Sequence, residues 1–118
     1  MSLFGFFKQK KSAAKVDECV LIILDGSSLP DEIYQQYDLS TLEDQLIEVI
    51  GKNGVGELDG NETGPMETTI YTYGPDADRL YEIIEPVLVT YPLCENARVV
   101  IRHGGPGAPQ TEHRIQVD

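Results

Sequence analysis

Five groups of residues in this chain are of types that chemistry uses. Cys19, His103 and Glu67 make the sharpest case. A thiol beside an imidazole gains nucleophilic character, and a carboxylate behind the imidazole orients the base. Nothing around Cys19 marks an oxyanion site or an exposed turn, so the plainer reading is a buried, inert thiol. Glu57, Asp59, Asn61 and Glu62 form the densest acidic stretch. A calcium loop opening at Glu57 needs a glycine sixth and a glutamate twelfth. Glu62 and Thr68 stand there instead, so the stretch reads as a solvated hairpin rim. Asp76 and Asp78 lie where a helix should begin, and carboxylates there cap free amides and oppose the helix dipole. His103 and His113 lack a third zinc ligand. Gly104–Pro109 carries two prolines and no following lysine, so it reads as a linker rather than a phosphate loop. No metal and no cofactor is expected.

The elements that would position these residues are legible in the patterning. Val20-Leu21-Ile22-Ile23-Leu24, bounded by Asp25-Gly26, predicts a buried central strand. Ser27–Leu39 reads as an ordered loop or short helical turn. Ser40-Thr41-Leu42-Glu43 has the form of a capping box, and Leu42, Leu46, Val49 and Ile50 follow at helical spacing until Gly51 and Gly54. Val55–Asp59 and Glu67–Tyr73 predict a hairpin joined by the turn formers of residues 60–65. A second helix follows Gly74-Pro75-Asp76, with Ala77, Leu80, Ile84, Val87 and Leu88 on one stripe and Pro86 expected to kink or shorten it. Ala97–His103 alternates as a fourth strand, and Glu112–Val117 alternates again as an optional edge strand.

The order β-α-β-β-α-β is that of the ferredoxin-like fold, an α+β architecture with two helices on one face of an antiparallel sheet. Taking strand four as antiparallel and strand three as parallel to strand one puts His103, Cys19 and Glu67 at one end of the sheet. The same topology puts Cys94 at the other end from Cys19, so no disulfide is expected between them. With Leu58, Ile70, Val99 and Ile101 turned to the helices, the open face carries Glu57, Asp59, Thr69, Tyr71, Tyr73, Arg98, Val100 and Arg102. A face of mixed aromatic, apolar and charged residues suits a surface covered by a second copy, or by the N-terminal residues. Aromatic residues on a middle strand also suit RNA-recognition domains, but their glycine-aromatic signature is missing.

Charge narrows the partners. The chain has 118 residues and a net charge of −11. Residues 1–15 hold four lysines and no acid, so residues 16–118 carry 20 acids against five bases, a balance of −15. Such a body repels nucleic acid and anionic membranes and attracts basic proteins. Residues 1–15 form a separate block in which Phe4, Phe6 and Phe7 precede Lys8, Lys10 and Lys11, a composition suited to a membrane-surface or partner-docking leader. Two isolated cysteines and no recognisable secretory leader suit a cytoplasmic protein with reduced thiols.

From Gly54 onward the residues resemble a family of small uncharacterised bacterial proteins. The resemblance rests on G-E-L-D-G-N-E-T-G (residues 56–64) and Y-T-Y-G-P-D-A-D-R-L (residues 71–80), with I-E-P-V-L (residues 84–88) and the glycine-proline run adding to it. It implies a compact α/β domain and carries no activity with it.

The expectation is therefore a leader of 1–15 followed by one acidic domain of 16–118 that acts by binding protein. A homodimer through the open face is expected, with an immunity- or inhibitor-type role against a basic partner and with Glu57 and Asp59 steering association. A thiol enzyme at Cys19 and His103, or an adaptor working through residues 1–15, is the alternative.

Overall fold

The apolar run in the first strand sets the architecture. In the computed structural model, which describes residues 17–118, β1 (Glu18–Asp25) is the middle strand of five, flanked on both sides by antiparallel partners. The sheet order is β2-β3-β1-β4-β5, with β2 at Glu57–Thr63, β3 at Glu67–Gly74, β4 at Arg98–Arg102 and β5 at Gln110–Arg114. The described residues are thus α+β, with a five-stranded antiparallel sheet and three α-helices. Although β1 is apolar at every position from Val20 to Leu24, only alternate residues enter the core. Val20, Ile22 and Leu24 are buried, whereas Leu21 and Ile23 stay half-buried on the other face.

The core lies between that first face and the helices. Leu42, Leu46 and Ile50 of α2 (Leu39–Asn53), and Leu80, Ile84 and Leu88 of α3 (Ala77–Leu88), meet Val20, Ile22, Ile70, Val99 and Ile101 with essentially no exposure. Burying side chains of this size contributes about 1.5–3 kcal/mol each before chain entropy is charged against it. Among the described residues, the one polar side chain fully inside, Thr72, donates its hydroxyl proton to the Val20 carbonyl at 2.7 Å. Its burial is therefore paired.

The helix ends differ in detail from the sequence reading. α2 is capped by Asp38, whose carboxylate accepts from the Thr41 amide at 3.0 Å, so the capping-box reading of Ser40 is two residues late. Aspartate caps as well as serine does, and its extended backbone ends the preceding segment sooner. Gly51 lies inside α2 and Gly54 alone, at φ 62°, ends it. Ser27–Leu39 contains one short helix, α1 (Asp31–Gln36). α3 starts as expected, with Asp76 accepting from the Arg79 amide at 3.1 Å and Glu18 of β1 accepting from the Ala77 amide at 2.9 Å. Pro86 sits close enough to the end that α3 runs two residues past it.

The strand limits moved more. β2 runs through Asn61, Glu62 and Thr63, because a bulge between Leu58 and Gly60 absorbs one residue and lets pairing resume. β5 begins at Gln110, two residues before the expected start. Beyond it, Ile115 is buried and its backbone still bonds Ala97 and Asn96. Two glycines make the hairpin base possible. A Cβ on Gly56 would lie 2.0 Å from the Tyr73 carbonyl oxygen, and one on Gly74 would lie 2.2 Å from that of Val55.

Candidate functional site: the open sheet face

Register fixes what the second face displays. One row across the sheet runs Glu57, Tyr73, Cys19, Arg102 and Gln110; the next runs Gly60, Tyr71, Leu21, Val100 and Glu112; the third runs Glu62, Thr69, Ile23, Arg98 and Arg114. Since side chains alternate along each strand, these fifteen positions share a face. None of them belongs to the helix-side core. Leu21, Ile23, Tyr71 and Tyr73 are partly exposed, and among the described residues no helix packs over them. The centre is therefore apolar and aromatic.

The rims carry opposite charge. Glu57, Asp59 and Glu62 line the β2 edge, while Arg98, Arg102 and Arg114 lie on β4 and β5 beside the single acid Glu112. The Tyr71 hydroxyl donates to Glu62 at 2.9 Å, which holds its acidity below that of a free phenol. Burial, with Asp59 nearby, does the same for Tyr73. Arg98 binds Glu67 at 3.0 Å and reaches Glu112 at 4.0 Å. Arg102 donates to the Gly104 carbonyl at 2.8 Å, and Arg114 to the Asn96 carbonyl at 3.2 Å. The arginines are thus held in place along their side of the face.

The thiol cluster does not assemble. β3 runs antiparallel to β1, not parallel, so Glu67 pairs with Asp25 at the far end from Cys19, six strand positions and roughly 20 Å away. Cys19 pairs with Arg102, and the next residue, His103, points to the opposite face of the sheet. There its Nε2 meets Asp78 of α3 at 3.0 Å, and this bond raises the imidazole pKa. Burial raises the Cys19 pKa, which favours the unreactive thiol, and leaves it 1% exposed. Desolvation pushes Cys94 up to about 12, and both cysteines are free. Asp76 and Asp78 serve helix and histidine as described above. His113 stacks on Tyr81 of α3 with ring centroids 5.0 Å apart. Among the described residues no three His, Cys, Asp or Glu side chains gather as metal ligands.

Of the residues expected on the face, Glu57, Tyr71, Tyr73, Arg98 and Arg102 lie there, with Thr69 and Val100 between them, and Asp59, unpaired at the bulge, lies near Tyr73. Leu21, Ile23, Glu62 and Arg114 also belong to it. The continuous apolar run hid the first two, because alternation is invisible when every position is hydrophobic. The bulge hid Glu62, and Arg114 shares the face through pairing with β4 that alternation within the tail does not reveal. Phe4, Phe6, Phe7, Lys8, Lys10 and Lys11 lie outside the described residues. No described helix is long and apolar enough to cross a membrane.

No family model matches the chain, and no curated protein or solved structure proved similar to it.

Proposed function

We propose that this chain is a non-enzymatic protein-binding domain that pairs with itself through the open sheet face and turns its helical layer toward a basic protein partner. The observation that carries the reading is the segregation of charge between the two sides. The three helices hold eight acids against Lys52 and Arg79, and Arg79 is already paired with Glu82 at 2.8 Å. Three of the body's five basic residues lie on the sheet face instead. Within the acidic layer Ile47 is 51% exposed between Asp44 and Glu48, one turn of the same helix face. An apolar anchor ringed by acids suits a basic partner, as in an inhibitor or immunity-type role. A cytoplasmic setting fits the two reduced thiols. β1 lying between β3 and β4, with β5 added outside, supports reading the first four strands as a ferredoxin-like unit.

The acids that steer such a partner are then Asp44 and Glu48 rather than Glu57 and Asp59, which border the aromatic face. Native purification with identification of a co-purifying protein supplies the partner. The double variant Asp44→Asn, Glu48→Gln should slow association with it at low salt and lose that effect as salt rises. Recovery of the chain with no basic protein, or an association rate untouched by the double variant, would overturn the reading.

A further inference from the structure

Building on the open face as the self-pairing surface, we infer the symmetry of that pairing: a two-fold axis running along β1, with the arginine side of each copy laid over the acidic side of the other. Two sheets packed face to face in near alignment have two symmetric choices. With the axis across the strands, each strand meets its own copy with the rows reversed. Glu57 then faces Glu62 and Arg102 faces Arg98, so like charge meets like. With the axis along the strands, the rows stay in step and the edges exchange. Arg114 then lies over Glu62, Gln110 over Glu57, and Val100 over Tyr71. Arg102 lies over the ring of Tyr73, in reach of a cation–π contact and of Asp59 beside it. Leu21 and Ile23 meet their own copies on the axis, closing the apolar centre. Asp25 also meets its copy there, at the sheet's end, but its carboxylate is already bound by the Ser27 and Ser28 amides at 3.0 Å.

The area is adequate for a weak dimer. Five strands about 4.8 Å apart and roughly 20 Å long give a footprint of about 500 Å² per copy. Two such footprints total about 1,000 Å², the lower bound for a specific interface.

Complementary charge reversal separates this geometry from the dimer itself. Glu62 and Arg114 are both exposed, so their substitution spares the core. By symmetry each reversal is felt twice in a homodimer. Glu62→Arg alone and Arg114→Glu alone should each weaken self-association about tenfold or more, measured by sedimentation with the thermal midpoint checked in parallel. Mixed in equal amounts, the two variants should form a heterodimer as tight as the unaltered pair, because each new charge meets an opposite one. Dimers that survive both single reversals, or variants that fail to complement, overturn the axis while leaving self-pairing in place. An unaltered chain that stays monomeric at about 1 mM, where a pairing with Kd of about 100 µM is mostly dimeric, overturns both.

Discussion

The hydroxyl of Tyr34 is the single atom on which the segment after β1 turns. It accepts from the Leu29 amide at 3.1 Å and donates to the Asp25 carbonyl at 2.9 Å, joining the strand's end to α1 through one oxygen. Tyr34→Phe keeps the ring's packing and removes both bonds. A buried group left unpaired costs about 1–3 kcal/mol, and here both groups lie near water, so the pair should cost about 1–2 kcal/mol in all. For 118 residues the entropy of unfolding converts this to a fall in thermal midpoint of roughly 4 °C per kcal/mol, or about 4–8 °C. Tyr37→Phe is the control. Tyr37 packs edge-on against Tyr91 at 5.6 Å, and its hydroxyl makes no hydrogen bond to the described residues. Its loss should therefore stay within about 0.5 kcal/mol. Calorimetry or a circular-dichroism melt reads both variants. Equal midpoints for the two would refute the reasoning, since one substitution breaks two hydrogen bonds and the other breaks none to the described residues.

Three further outcomes follow from the same geometry. Because Asp78 raises the His103 pKa, a histidine titration by NMR should place it above the ordinary value near 6.5, and Asp78→Asn should bring it down. The sign follows from linkage: the bond's stabilisation is complete below the unfolded pKa and is lost as pH rises through the folded one. Cys19 and Cys94 should alkylate in the native protein no faster than a free thiol, Cys94 slowest, and quickly once denatured; fast native labelling at neutral pH would contradict their burial. Gly74→Ala should destabilise far beyond an ordinary surface change, since its Cβ would meet the Val55 carbonyl oxygen at 2.2 Å, whereas Gly51→Ala meets nothing and should stabilise the protein by about 0.5–1 kcal/mol.

Helices were more legible here than the sheet. Leu42, Leu46 and Ile50 repeat at a spacing that only a helix can bury, and Asp76 marks the start of α3 by chemistry local to one turn. Strand limits depend on partners far along the chain. Nothing local to Gly60 announces a bulge, yet the bulge decides that Glu62, not Asn61, shares a row with Thr69. The same holds for the thiol cluster: one mistaken strand direction moved Glu67 from one end of β1 to the other, and one step along β4 put His103 behind the sheet. Residue types were visible, and relative placement was not.

The central position of β1 also shapes how the chain comes to fold. Synthesised first among the strands, it finds a partner only when β3 emerges, some 42–56 residues later, and Cys19 waits until Arg102 for the other. Until then Val20–Leu24 is a bare apolar strand with both edges open, the kind of segment that recruits another nascent chain. Its flanks answer that hazard. Asp17 and Glu18 stand on one side and Asp25 on the other, acids that break any longer run and repel a neighbour bearing the same segment. In the finished protein Glu18 caps α3 and Asp25 closes a turn, so the residues that guard the strand at birth become the ones that fasten it once its partners arrive.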